Sequence, residues 1–420
     1  MWGVTAGIGG PEGVLDDEAV AGFVADQFAG LDLDGRSLCL VIPDATRQCP
    51  LPTLLGAITR AVEGRVRSCV ALVALGTHAA MDDEAIRAMV GVEGLDVVNH
   101  EWWDEATFAP MGTLAAADVA RWSDGRLAED VPIRVNRLVV DSDVTVIVGP
   151  VLPHEVIGFS GGHKYLFPGL SGPELIDVTH WLGALITSAE IIGTKGITPV
   201  RALVEAAADL VPGERHALCV VVDHETGRLH HAAFGDPRSA WAAAADVAAE
   251  THIQYLDAPV ERVVSLVAPR YADLWTGAKG FYKVEPVVAD GGEVILYAPH
   301  ITQIAATHPG LDTIGYHCRD WFLAHWDEVQ DLPRGELAHS THLFGAGTYD
   351  PVEGERQRVR VTLATGIPEA VVRAANLGHL DPGAVDLDAM EADPGTLVVH
   401  DAGETLYRLG PRSGGGAQRQ

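Results

Sequence analysis

The stretch from Pro153 to Gly169 reads PHEVIGFSGGHKYLFPG. It gathers His154, Glu155, His163 and Lys164 around the small residues Gly158, Ser160, Gly161 and Gly162. Small residues let backbone amides come close to an anion. Lys164 then follows as a cation or as a nucleophilic amine. A Gly-Gly-x-Lys string alone is more often a turn with a solvated lysine, and the spacing is not that of the G-x-x-x-x-G-K-[ST] phosphate loop. Lysine is scarce here, however. Of 29 Lys and Arg residues, only Lys164, Lys195, Lys279 and Lys283 are lysines. Arginine serves wherever charge alone suffices, but it does not readily become a neutral nucleophile, whereas lysine does. A lysine kept in this loop therefore points mildly to amine chemistry.

Histidine is the second signal, with 18 in the chain. Three stand out by context: His78 after Gly76-Thr77, His154 at the head of the glycine loop, and His180 in a helical stretch. Their spacing fits neither H-E-x-x-H nor a zinc finger. Singly, each reads best as a structural histidine. Brought to one place, they supply a metal ligand and two general bases. Asp44 and Arg47 are the third signal. Arg47 has the geometry to clamp a carboxylate bidentately, and a local Asp–Arg pair shaping a turn is an equal reading of the segment.

These residues need elements to hold them. Leu38–Ile42, 69–75 and 143–148 read as buried strands, and Pro52–Val62, 82–90 and 174–185 as helices. The alternation predicts an α/β fold with a mainly parallel sheet. Ligands of such sheets bind beyond the carboxyl ends of the strands. Asp44-Ala45-Thr46-Arg47, Gly76-Thr77-His78 and Pro153-His154 all follow strand ends, so they are expected at one edge. A second α/β series starts near Val260, with strands at 260–268 and 293–298 and a helix at 271–284. The alanine-rich stretch 236–251, capped by Asp236-Pro237, is expected to bridge the two halves. The predicted domains are 1–256 and 257–420, with the last residues returning to the first domain or forming a frayed tail.

Composition removes several classes. The formal net charge is −29. Such a chain repels phosphate backbones and anionic membranes, so neither nucleic acid nor membrane is an expected partner. Five scattered cysteines without C-x-x-C spacing argue against a disulfide framework or a cysteine zinc site. With no signal peptide and no long apolar run, the expected location is cytoplasmic.

Taken together, the motifs resemble the lactate racemase family. The resemblance rests on Pro43-Asp44-Ala45-Thr46-Arg47-Gln48-Cys49-Pro50, on Ala74-Leu75-Gly76-Thr77-His78, and on the His154–Gly169 string with His180 beyond it. Val97-Val98-Asn99-His100 before Gly112, and Ala278-Lys279-Gly280 before Gly291-Gly292, extend it over most of the chain. The resemblance implies two α/β domains with an active site in the cleft between them. It implies a nickel-pincer nucleotide, a pyridinium mononucleotide with two sulfur arms and a nickel–carbon bond, tethered through a thioamide at Lys164. His180 resembles the protein ligand to nickel, and imidazole suits that metal. His78 and His154 resemble the acid/base pair, Arg47 and Lys279 the cations for the substrate carboxylate. Asp44 resembles a residue orienting this network or the cofactor, whose phosphate the Ser160-Gly161-Gly162 loop would serve. The implied reaction moves hydride from Cα to the cofactor and back, through a bound 2-keto acid. The implied partners are a small anionic 2-hydroxy acid and the enzymes that make the cofactor.

Three positions depart from that family. His163 stands where lactate racemases typically have arginine, Val156 replaces a bulky aromatic and so predicts a larger pocket, and Thr276 replaces glutamine. The second half is rich in polar groups from Tyr297 to His342, which favours a polyhydroxylated sugar acid over a small aliphatic hydroxy acid. Two other classes compete. A nicotinamide-type oxidoreductase would need a G-x-G-x-x-G fingerprint, which is not evident. A non-catalytic binding protein would need the tether but not both bases.

Overall fold

The computed structural model describes residues 5–76 and 78–410. The chain forms two compact units. The first comprises Met1–Leu152, Phe159–Thr179 and Lys195–Thr251; the second comprises Pro153–Gly158, His180–Thr194 and His252–Gln420. The single cut expected after residue 256 is thus replaced by a chain that passes repeatedly from one unit to the other.

A seven-stranded sheet organises the first unit. Its order is Ala6–Gly9, Leu229–Gly235, Glu214–Val222, Val144–Pro150, Ser37–Ile42, Ser68–Val73 and Asp96–Asn99. The five strands from Glu214–Val222 onward run parallel, and the first two are antiparallel additions. Val144–Pro150 is buried along its whole length, as a strand covered on both faces must be. Because Val144–Pro150, Ser37–Ile42 and Ser68–Val73 are parallel neighbours, their carboxyl ends share one edge.

Local chemistry explains the helices. Leu51–Val62 has proline in its first turn and buries Leu51, Leu54, Leu55 and Ile58 in the sheet's core. Asp82 caps Asp83–Val90 by accepting from the Ala85 amide at 2.8 Å, and Gly91 ends it at φ +62°. Asp236 accepts from the Arg238 amide at 3.1 Å at the head of Pro237–Thr251. That alanine-rich helix does not bridge the units. It packs on Glu214–Val222 and Leu229–Gly235, because small alanines let a helix lie close to a sheet.

The second unit has a five-stranded, all-parallel sheet in the order Gly378–His379, Arg360–Thr365, Val288–Ala298, Val260–Val267 and Thr396–Ala402. The helix expected at 271–284 is broken into Leu274–Gly277 and Lys279–Tyr282. Asp273 starts the first piece by accepting from the Thr276 amide at 3.0 Å. Among the described residues no helix is long and apolar enough to cross a membrane, and the five cysteines are all free.

Candidate active site

In the first unit, Asp44 lies just past the strand Ser37–Ile42, with its side chain buried. One carboxylate oxygen accepts from the Thr46 amide at 3.1 Å and the Thr46 hydroxyl at 2.6 Å. The other accepts from Nδ1 of His78. A carboxylate can only accept, so Nδ1 carries the proton and the neutral ring presents a bare Nε2. That is the form a general base requires. The Trp102 indole fixes the same residue by donating to the His78 carbonyl at 3.0 Å. Burial opposes the charge on Asp44, but the His78 ring, the Thr46 hydroxyl and Arg47 outweigh it and hold the carboxyl well below the usual range. The two segments expected at one strand edge therefore meet. Of the Gly76-Thr77-His78 turn, Thr77 lies outside the described residues.

The glycine loop is latched from behind. Ser160 takes the Leu152 amide at 3.0 Å on its hydroxyl and donates to the Pro150 carbonyl at 3.3 Å. The Trp241 indole donates to the Ser160 carbonyl at 2.9 Å. Arg201 donates to the carbonyls of Phe159 at 2.6 Å and Gly161 at 3.1 Å, and stacks over Trp241 at 4.1 Å. A Cβ at Gly161 would come 2.5 Å from Val151 Cγ2, and one at Gly162 2.9 Å from Trp241 Cβ. Gly161 and Gly162 thus carry a packing duty in the fold. Their smallness is required by the protein's own side chains, and the Ser160 hydroxyl bonds within the chain.

His163 and Lys164 follow in one turn of 3-10 helix, Gly162–Tyr165. His163 points inward, with Nδ1 2.7 Å from Glu205 Oε2. Arg238 donates to the same oxygen at 2.7 Å. Burial works against the Glu205 charge, but the His163 hydrogen bond and the charges of Arg201 and Arg238 bring it down to about 2. Lys164, next in sequence, stays half-buried. Arg201 and Glu205 lie one turn apart on Pro199–Asp209. Their i, i+4 spacing was the available signal for this network, and the sequence reading missed it.

In the second unit, His154 is buried, 4% exposed. Its Nδ1 accepts from the Val156 amide at 3.2 Å. In the neutral ring the proton therefore sits on Nε2, the reverse of His78. Glu155 Oε2 lies 3.5 Å from Nδ1, ready to face the ring when it is charged. Val156 packs against the helix Pro173–Ile186. Its side chain lies where a Cβ at Gly183 would approach within 3.0 Å, so the His154 loop packs onto the helix Pro173–Ile186. His180 lies on that helix three residues before Gly183, on the same face, and is half-buried. Trp181 stacks on Trp326 at 5.6 Å and fixes this end of the helix.

Lys279 is buried, with Nζ 5.2 Å from the Tyr271 ring centroid. Thr276 is held by Asp273, whose Oδ1 accepts from its hydroxyl at 2.8 Å. Trp275 stacks on His339 at 4.4 Å and meets a tilted His308 ring at 3.8 Å. His339 and His342 lie on the buried helix Arg334–Phe344. Burial pushes His339 down to about 3 and His342 down to about 4. Within electrostatic reach of His342 are Glu155 and His180; within reach of His339 is Lys279. Tyr297 to His342 is therefore no simple polar surface, because its last histidines are interior.

The lactate racemase N-terminal domain matches residues 24–192. The lactate racemase of Thermoanaerobacterium thermosaccharolyticum is 28% identical over 152 residues, 34% of this chain and 32% of that protein. The aligned stretch thus spans about a third of that relative's length. A crystal structure of a protein from Thermotoga maritima superposes with TM-score 0.89 at 29% identity, covering 96% of this chain and 100% of the other. The lactate racemase apoprotein of T. thermosaccharolyticum superposes with TM-score 0.72 at 19% identity, again over 96% and 100%, which shows the shared fold.

The fold is that of a two-unit α/β protein in which Asp44 and His78 follow the ends of neighbouring parallel strands. Over residues 24–192 the chain is thus similar to the lactate racemase N-terminal domain.

Proposed function

We propose that this chain is an isomerase, a racemase or epimerase that inverts the configuration at Cα of a 2-hydroxy acid. The observation that carries this reading is the pair of oriented imidazoles. His78 offers a bare Nε2 because Asp44 holds Nδ1–H. His154 offers Nε2–H because Nδ1 accepts from the Val156 amide. One ring is set to take a hydroxyl proton and the other to give one. Inversion in both directions requires the two roles to exchange. Arg47 and Lys279 bind the substrate carboxylate. Thr276, held by Asp273, lines the approach to Lys279.

The residues also fit the nickel-pincer nucleotide. Among the described residues no cluster of three or more His, Cys, Asp or Glu could hold a metal, so a metal at His180 would draw its other donors from such a ligand. Lys164 supplies the amine for the tether and His180 the imidazole. The buried His342 ring, with both nitrogens lacking a hydrogen-bond partner, lies within reach of the His180 charge. When bound, the group supplies a two-electron acceptor for the hydrogen on Cα. The chain's own part is to hold the carboxylate, to move the hydroxyl proton at His78 and His154 Nε2, and to exclude water from the keto acid. The substrate is a polyhydroxylated acid, the protein is loaded by the enzymes that make the nucleotide, and it works in the cytoplasm, where its free thiols stay reduced.

Mass spectrometry after co-expression with those enzymes tests the reading. An adduct at Lys164, absent in Lys164→Ala, is expected. A fully active protein of unmodified mass would overturn it. In deuterium oxide, the Cα hydrogen should be retained during interconversion; extensive washout would point to enolisation instead.

A further inference from the structure

The helix Arg334–Phe344 is buried from Glu336 to Phe344 although it carries His339, Ser340, Thr341 and His342 in succession. A polar helix in an interior is costly unless its groups are paired. Here several are not. His339 Nδ1, both ring nitrogens of His342 and the hydroxyl of Tyr316 are buried without a hydrogen-bond partner. The unmet groups lie together. His339 and His342 are three residues apart and share a helix face. The Tyr316 ring is 5.8 Å from His339, and the Tyr282 ring 5.8 Å from His342.

The chemistry of these groups is specific. His339 Nε2 lies 3.1 Å from the Trp275 carbonyl, which can only accept, so Nε2 bears the proton and Nδ1 is an acceptor. The His342 ring has one donor and one acceptor, and Tyr316 can do either. A set of neutral groups that both give and take hydrogen bonds complements hydroxyls. It offers no charge to a carboxylate or phosphate. Position adds the rest. His339 senses Lys279 and His342 senses His180 and Glu155. The pair thus lies within electrostatic reach of the residues that this reading gives to the substrate carboxylate and to the metal.

We propose that His339 and His342, with Tyr316, form the specificity-determining wall of this site and read hydroxyl groups beyond C2 of the substrate. The inference rests on the 2-hydroxy-acid reading above and adds the residues that select the substrate.

The test uses the cofactor-loaded protein. C2 interconversion is measured for a six-carbon polyhydroxylated acid and for 2-hydroxybutyrate, in the wild type and in His339→Leu, His342→Leu and His342→Gln, with thermal unfolding to confirm that each variant folds. The ratio of kcat/KM for the polyhydroxylated acid to that for 2-hydroxybutyrate should fall at least tenfold in each leucine variant. It should recover at least threefold in His342→Gln, which can still donate and accept. A ratio within twofold of wild type, with both substrates declining together, overturns the inference and assigns the pair to packing. If the loaded wild type interconverts no 2-hydroxy acid, the isomerase reading fails by itself. Calorimetric titration with the polyhydroxylated acid then decides the inference: weaker binding in His342→Leu supports it, and equal or absent binding in the wild type overturns it.

Discussion

Asp44 and His78 show how much one residue can set for its neighbour. The carboxylate does not touch substrate in this reading; it fixes which nitrogen of His78 is bare. Asp44→Asn keeps the size but can present its amide N–H to the ring and favour the wrong tautomer. Turnover should drop by about 10²–10⁴-fold, the span of general acid–base catalysis, while the mass adduct at Lys164 persists. Loss of the adduct along with activity would place Asp44 in cofactor binding instead. His154 is governed differently, by a backbone amide two residues on, which no substitution of its own side-chain partners removes. The meeting of Asp44 and His78 at one strand edge was legible from residue type and position, and His154 was singled out in the same way. The tautomers of the two histidines were not legible, because those depend on the partner each ring meets.

At the scale of elements, the loop from Phe159 to Lys164 and the helix Pro199–Asp209 behave as one device. Gly161 sits at φ +84° with Val151 against its missing side chain. Gly161→Ala should cost about 1–3 kcal/mol in chemical denaturation, as forced left-handed backbone does; a loss under ~0.5 kcal/mol would mean the loop yields. Glu205 gives a pH signature. Its folded pKa of about 2 lies below the ordinary 4.5. Its contribution to stability is then complete above that ordinary value and is lost as pH falls toward 2. The gap in denaturant midpoint between wild type and Glu205→Gln should be widest at pH 6 and shrink by pH 3. A constant gap would remove the electrostatic account. Strands and helices of the first unit were legible because buried parallel strands are continuous apolar runs. The segment 271–284 misled, since its helical spacing conceals the Asp273 cap that restarts the chain, and the 236–251 helix was placed between the halves because its alanine face does not reveal which sheet it covers.

For the whole molecule, the division of the chain matters more than its length. The second unit owns Pro153–Gly158 and His180–Thr194 as well as everything after His252. Lys283 bonds the Pro153 carbonyl, Trp181 stacks on Trp326, and a Cβ at Gly193 would strike Leu406. Residues 252–410 expressed alone would lose these partners and expose the apolar faces they cover. That fragment should bind a hydrophobic dye and unfold without cooperativity, while the full chain unfolds sharply. A cooperative, dye-free fragment would show that the two short stretches add little. A single boundary was a natural expectation, since periodicity reports local structure and is blind to a segment that crosses into another core.

By itself the sequence determined the α/β class, because that follows from apolar periodicity and turn chemistry, and it marked the candidate residues by motif spacing. Only the tertiary structure decided what each of those residues touches. Tautomers, buried charges and unmet hydrogen bonds arise between residues far apart in the chain. Glu205 reaches His163 across 42 positions, and Trp275 reaches His339 across 64. Such contacts leave no local pattern, so folding alone turned the glycine loop into a latched support and a run of polar letters into an interior wall.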